Sequence, residues 1–272
     1  MSHTNNWANP SQTGAEEISN MATALEERGR AADQQQVNAA LIDVLDPSPG
    51  ERLFEAGCGS GLLCRPISQT LASGGRITGL DISPGLVSIA QNIANESGLV
   101  DQIHWCSGTA ETLPFAEACF DKALAARLLL HVSDPAAILK ELRRVLQPGG
   151  KLVVMDWDFD TVVVDHSNRD LTRRILHWRC DHYGGNNWSG RQLWKQLAAA
   201  GFSALKMVAV VSVATCEQDS LTLSLIRAAQ VARDGEAITP DEHDSWVGEL
   251  KSNLADGSFF ASIVYFIVSG QR

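Results

Sequence analysis

Glu55-Ala56-Gly57-Cys58-Gly59-Ser60-Gly61 follows the apolar pair Leu53-Phe54 and precedes Leu62-Leu63. Three glycines at every second position let the backbone turn sharply and let a ligand approach it closely. A strand before the loop and a helix after it place unpaired helix amides at its mouth. The spacing narrows what the loop holds. A dinucleotide fingerprint of the form Gly-x-Gly-x-x-Gly would need its third glycine at Leu62, and no Gly-Lys-Ser/Thr follows to cradle a nucleoside triphosphate.

Outward from the loop, strands and helices alternate. Glu51–Ala56 reads as a strand, and a helix through Leu63, Ile67 and Leu71 stops at Ser73-Gly74-Gly75. Arg76–Asp81 is the second strand; Ser83-Pro84 then opens a helix through Val87, Ala90 and Ala94, as a cap followed by proline should. Ile103–Cys106 and Phe120–Ala126 are strands three and four. Asp134-Pro135 repeats the cap, and its helix through Ile138, Leu139, Leu142 and Val145 ends at Gln147-Pro148-Gly149-Gly150. Lys151–Asp158 is the fifth strand. This rhythm predicts a doubly wound α/β fold, a parallel sheet covered on both faces.

Two helices, one through Ile18, Met21, Ala22 and Leu25 and one through Val37 to Leu45, precede the core, with Pro47–Gly50 as a breaker. Past Asp158 the rhythm breaks. Residues 159–190 are dense in His, Trp, Tyr, Arg and Asp, and a helix (Arg191–Ala200), a strand (Ala204–Ala214), a helical piece (220–253) and a last strand from Phe259 to Val268 follow. The expected divisions are a tail and helical lid (1–46), a cofactor-binding core (47–158), a substrate cap with its helix (159–200), and a C-terminal part of the same sheet with a helical insertion (201–272).

Composition excludes several classes. Lys and Arg number 22 against 32 Asp and Glu, a net charge of −10 that repels phosphate backbones. No stretch reaches the ~18 apolar residues of a membrane span. The polar amino terminus lacks a signal-peptide core, so a cytoplasmic location is expected. Six scattered cysteines show no pairing rhythm. His177, Cys180 and His182 stand close together but lack a second ligand pair, so no metal is expected.

Asp81 lies 24 residues past Gly57, where this fold puts a carboxylate against ribose hydroxyls. Ser107-Gly-Thr-Ala-Glu-Thr-Leu-Pro-Phe115 follows the third strand. In these motifs, together with Arg127-Leu-Leu-Leu-His-Val-Ser-Asp-Pro135 and Leu146-Gln-Pro-Gly-Gly-Lys-Leu152, the chain resembles the class I S-adenosylmethionine-dependent methyltransferases. Within them it is similar to the ubiquinone/menaquinone-biosynthesis branch. The resemblance implies a Rossmann-like, mostly parallel seven-stranded sheet with its last strand antiparallel, N-terminal helices over the cofactor and a helical cap. It implies S-adenosylmethionine as cofactor, with Glu55, Gly57, Cys58 and Gly59 on the methionine portion and Gly61 shaping the turn. Asp81 would hold the ribose and Ile82 the adenine face. Thr109, Ala110 and Glu111 would border the adenine ring, with Thr109 standing where the family usually has Asp. The backbone of Arg127 would lie near the sulfonium.

A small organic acceptor is expected, with no nucleic acid partner. His131 follows the fourth strand, at the carboxyl edge where such sheets bind ligands, and is a candidate base or acceptor-orienting group. Asp156, Asp158 and Asp160 alternate with Trp157 and Phe159, so the aspartates share one face and the rings the other. With the aspartate face toward the cleft, these carboxylates would orient a polar or cationic acceptor. His166, Trp178, His182, Tyr183 and Trp188 form the expected substrate cap, with Tyr183 a catalytic candidate; such rings equally build the core of a small helical cap. Two alternatives stand beside methyl transfer. One is a protein that binds S-adenosylmethionine without transferring methyl. The other is a nicotinamide-dependent reductase, disfavoured by Leu62 and by the absence of a Tyr-x-x-x-Lys pair.

Overall fold

The central strands bury both faces, so they read as unbroken apolar runs. Leu53, Phe54, Ala123, Leu124, Val153 and Val154 are all sealed from solvent. A computed structural model describes residues 14–72, 74–182 and 184–272; Tyr183 therefore lies outside the described residues. The strands are β1 (Arg52–Ala56), β2 (Arg76–Asp81), β3 (Ile103–Ser107), β4 (Phe120–Ala126), β5 (Leu146–Val164), β6 (Ser203–Ala214) and β7 (Ala261–Gln271). They form one seven-stranded sheet in the order β3-β2-β1-β4-β5-β7-β6. The first five run parallel, while β7 is antiparallel to both β5 and β6. The order reverses between β1 and β4, and ligands of open α/β sheets bind at the carboxyl edge of that switch.

Helices α3 (Cys64–Thr70), α4 (Pro84–Glu96), α5 (Pro135–Val145) and α7 (Ser189–Ala199) cover the sheet, and α1 (Ala15–Arg30) and α2 (Ala32–Leu45) precede it. The cap-plus-proline starts are real: Ser83 Oγ accepts from Leu86 N at 3.3 Å and Asp134 Oδ1 from Ala137 N at 3.0 Å. The outer group is α6 (Arg169–His182), α8 (Ser220–Asp234) and α9 (Pro240–Asp256).

The structure departs from the sequence reading in two places. β5 does not stop at Asp158. Its pairing with β7 is interrupted after Asp158 and resumes at Val163 opposite Ser262. Thr161 bridges the gap, donating to the Asp158 carbonyl at 2.6 Å and accepting from Val264 N at 3.0 Å. A polar stretch that looks like a loop is thus an irregular strand. The helical piece after residue 220 is two helices. Gly235 ends the first and packs directly under the Trp178 ring, where a Cβ would overlap it. Thr239 opens the second through a reciprocal capping box with Glu242.

Candidate active site

The glycine loop owes its shape to positive φ at Gly57 (+74°), Gly59 (+53°) and Gly61 (+77°). A Cβ at Gly57 would stand 2.9 Å from Leu128, and one at Gly61 would strike the Trp105 ring, so the loop can carry no side chains there. Asp81, at the end of β2, fixes the loop from the next strand. Its Oδ2 accepts from Gly59 N at 2.9 Å and its Oδ1 from Ser83 N at 2.9 Å. Burial raises its pKa against those two donors. A carboxylate has further lone pairs, so Asp81 can hold the loop and still accept from a ligand.

Beneath the loop lies Glu55, 2% exposed at the end of β1. Burial pushes its pKa up to about 7, opposed by the Cys64 thiol, which donates to it at 2.9 Å, and by the Arg127 guanidinium. The Cys58 and Cys64 thiols are themselves pushed up, and all six cysteines are free.

One cavity of about 1100 Å³ runs along this edge. Its first half is walled by Glu55, Gly57, Cys58, Gly59, Asp81, Ile82, Thr109, Ala110 and Glu111, which the sequence assigned to the cofactor. Thr109 Oγ1 accepts from Glu111 N at 3.2 Å, a local turn that fixes the segment. The second half is walled by Arg28, Arg127, His131, Trp157, Phe159, Arg179 and Tyr265, among others.

Helix α1 closes the cavity from above. Ile18 and Met21 pack on Leu86 of α4, and Gly29 sits against Leu62. A polar latch adds to this: Arg65 Nη2 donates to both Glu26 oxygens at 2.9 and 2.8 Å, and Ser60 Oγ donates to the same carboxylate at 2.7 Å.

Several sequence assignments fall elsewhere. The period-two reading of 156–160 holds, but the rings, not the aspartates, face the cavity. Asp156 is fully buried against α7, accepting from Ser189 Oγ at 2.5 Å, and burial pushes its pKa up to about 7. Asp158 is bound by Arg191. Because α7 covers the aspartate side, these carboxylates do not orient an acceptor. His166 stacks on Trp246 at 5.3 Å and lies next to Glu249, away from the cavity. Trp178 and His182 stack on each other at 4.6 Å, with Trp178 under α8. Trp188 is exposed with Arg191 over its ring. The aromatic residues of the expected cap thus mostly build its own packing. No group of three metal-ligating side chains exists among the described residues.

Trp157 does line the cavity, meeting Tyr265 edge to face at 6.1 Å and His131 at 6.3 Å. Burial, then Arg28 and Arg179, lowers the His131 pKa to about 3, so the ring is neutral at ordinary pH. Arg127 takes a left-handed backbone, φ +56°, with its N–H bound to the Met155 carbonyl at 2.7 Å. Its side chain, rather than its backbone alone, enters the cavity, with Nη2 donating to Asn38 at 3.1 Å. Arg28, Arg179 and Tyr265 carry no signal in the sequence, because each reaches the cavity from an element distant in the chain.

Residues 54–154 match the family model described as "Methyltransferase domain". An uncharacterized 37.1 kDa protein in transposon TN4556 of Streptomyces fradiae is 31% identical over 234 residues, covering 86% of this chain and 66% of that one. The ubiquinone/menaquinone biosynthesis C-methyltransferase UbiE of Vibrio cholerae is 31% identical over 116 residues, 43% of this chain and 45% of that one. The chain thus spans about two thirds of the first relative's length and less than half of the second's. Among solved structures, the [4+2]-cyclase SpnF superposes with a TM-score of 0.58 at 24% identity, covering 90% of this chain and 84% of that one. Further structures of this fold, at 15–19% identity, hold S-adenosylmethionine or S-adenosylhomocysteine. The chain has the class I S-adenosylmethionine-dependent methyltransferase fold and carries a methyltransferase domain in its first five strands.

Proposed function

We propose that this protein moves a methyl group from S-adenosylmethionine to a small organic acceptor. The observation that carries the reading is the glycine loop, pinned by Asp81, opening into a cavity of about 1100 Å³ that Arg127, Trp157 and Tyr265 also line. Pockets for one drug-sized ligand span ~300–1,000 Å³, so this cavity has room for donor and acceptor together. The residues fit the donor. Asp81 takes the ribose hydroxyls, Ile82 and Thr109 to Glu111 border the adenine, and Glu55 with Gly57, Cys58 and Gly59 receives the amino-acid portion.

S-adenosylmethionine supplies, when bound, a methyl carbon on a positively charged sulfur. The acceptor atom gives the electron pair of the new bond, and the carbon–sulfur pair returns to sulfur, leaving S-adenosylhomocysteine. Any acceptor proton passes to His131 or to water. With a pKa lowered to about 3, His131 is a weak base, so alignment and exclusion of water carry most of the rate. Helix α1 acts as the lid, and α6 with α8 walls the acceptor. The likeness to UbiE supports kinship of the core with quinone methyltransferases; at 43% of the chain, it leaves the acceptor open.

Calorimetric titration with S-adenosylhomocysteine, then label transfer from methyl-labelled donor into a metabolite extract, tests this. No cofactor binding sinks the reading. Binding without transfer to any acceptor supports a second one, a protein that uses the same site for other chemistry, which the likeness to a cyclase favours.

A further inference from the structure

Part of the cavity wall carries basic side chains, unusual for so acidic a chain. Arg28 from α1, Arg127 from the end of β4 and Arg179 from α6 all line it. Arg28 Nε and Arg127 Nη1 are buried without a hydrogen-bond partner. Buried donors of a charged group are costly to leave unmet, so both await an acceptor that none of the described residues provides.

The carboxylates nearby do not cancel this charge. Asp33 of α2 faces Arg28 but already accepts from Ser212 Oγ at 2.9 Å and Gln34 Nε2 at 3.0 Å. Asp158 is taken by Arg191. Glu55 and Asp156 face Arg127, and both titrate near 7, so neither is fully ionised at neutral pH. Arg28 and Arg127 therefore face an already hydrogen-bonded Asp33 and two partly ionised carboxylates, while Glu17, Glu27 and Arg227 also line the same cavity. Around them the wall is apolar or aromatic: Trp157, Phe159, Tyr265, Ile263 and Leu221.

Resting on the methyltransferase reading, we propose that the acceptor is an organic anion, a carboxylate or phosphate on an apolar or aromatic body, bound by Arg28 and Arg127. Two consequences support the assignment. A sulfonium donor beside three guanidiniums is repelled until an anion lies among them, so the acceptor would favour the donor it reacts with. Burial is the main reason that His131 is a weak base, with Arg28 and Arg179 adding to it; an anion among them offsets those two charges, so that part of the lost basicity returns when the acceptor is present.

The test is calorimetry on the full chain, with and without saturating S-adenosylhomocysteine. Four ligands with one common ring system serve as probes: 1-naphthylacetate, 1-naphthyl phosphate, neutral 1-naphthylacetamide and cationic 1-naphthylmethylamine. At least one anion should bind about tenfold tighter than the amide, with the amine weakest, and which anion leads separates carboxylate from phosphate. Arg28→Gln and Arg127→Gln should each weaken that anion about tenfold, leaving the amide within about twofold. Should Arg127→Gln not fold, Arg28→Gln decides alone, since Arg28 lies on a half-buried helix face. Three outcomes overturn the proposal. One is an amide or amine that matches the anions. Another is the absence of saturable anion binding up to millimolar concentration. The third is a loss of S-adenosylhomocysteine affinity in Arg28→Gln as large as the loss for the anion, which would give that guanidinium to the cofactor's own carboxylate. Failure of S-adenosylhomocysteine to bind the wild type counts against the methyltransferase reading, while the cofactor-free titrations still judge the anion site.

Discussion

Sealed beneath the glycine loop, the Glu55 carboxyl titrates near 7 because burial opposes its charge more than Cys64 and Arg127 favour it. Protonated, it offers an ammonium only a neutral carbonyl acceptor; ionised, it offers a full charge. Affinity for S-adenosylhomocysteine, whose amino-acid end carries an ammonium, should therefore rise as pH climbs through about 7 and level off above. Calorimetry in buffers of different ionisation enthalpy would count the proton released, and Glu55→Gln should flatten the curve. An equal slope in that variant would move the titrating group elsewhere. The sign for stability is the opposite. A carboxyl whose folded pKa lies above its unfolded one stabilises fully below the unfolded value and loses that contribution as pH rises through the folded one. Glu55→Gln should thus gain on the order of 2 kcal/mol over the wild type at pH 8 and much less at pH 5, read from urea midpoints. Asp81→Asn should weaken S-adenosylhomocysteine by roughly 1.5–3 kcal/mol, since the amide offers a weaker acceptor to both ribose and Gly59. Calorimetry on the folded variant checks it; unchanged affinity would mean that Asp81 only braces the loop. At this scale the sequence was informative where spacing along one βαβ unit sets position, as for Gly57, Asp81 and Thr109. It was silent on Arg28 and Tyr265, since nothing in one strand or helix tells which distant residue will meet it. Period two separated Trp157 from Asp158 correctly; which face turned inward depended on α7, whose placement no local pattern fixes.

Among the elements, α1 lies over the cavity and walls it with Met21, Leu25 and Arg28. Its apolar face is narrow, Ile18, Met21 and Ala22 against Leu86, so the Glu26 latch to Arg65 and Ser60 carries a sizeable share of the closure. Both side chains of the ion pair are mostly buried, with exposures of 14% and 16%, so the pair is screened less than a surface bridge. Glu26→Ala should raise amide exchange along α1 and speed release of S-adenosylhomocysteine by about fivefold, an effect on the order of 1 kcal/mol. Exchange unchanged in α1 would show that apolar contacts alone keep the lid down. The two N-terminal helices were legible from their 3.6-residue apolar spacing. The continuation of β5 was not, because the ladder to β7 is interrupted after Asp158, where Thr161, Asp158 and the Asn187 carbonyl take up backbone groups in place of β7.

Taken as a whole molecule, the cavity is bounded by parts that meet in one continuous core, in which Cys58, Leu63 and Ile77 near the glycine loop join the same cluster as Leu225 and Trp246. The cofactor half depends on β1, β2 and their loops. The acceptor wall depends on α6 and α8, steadied by α9, whose Trp246 is fully buried, stacks on His166 and donates from Nε1 to Thr172 Oγ1 at 3.0 Å. None of these contacts touches the glycine loop. Trp246→Ala removes a large ring from a sealed site, and such truncations cost about 3–5 kcal/mol. Were the molecule one cooperative block, that loss would weaken both halves together. The lack of any direct contact between Trp246 and the glycine loop argues otherwise: the variant should unfold at lower urea and bind naphthyl anions more weakly, while S-adenosylhomocysteine affinity stays within about twofold at a temperature where the core remains folded. A tenfold fall in cofactor affinity under those conditions, with the sheet intact by circular dichroism, would show that the outer helices and the glycine loop share one folding unit, and that the acceptor wall also sets the donor's fit.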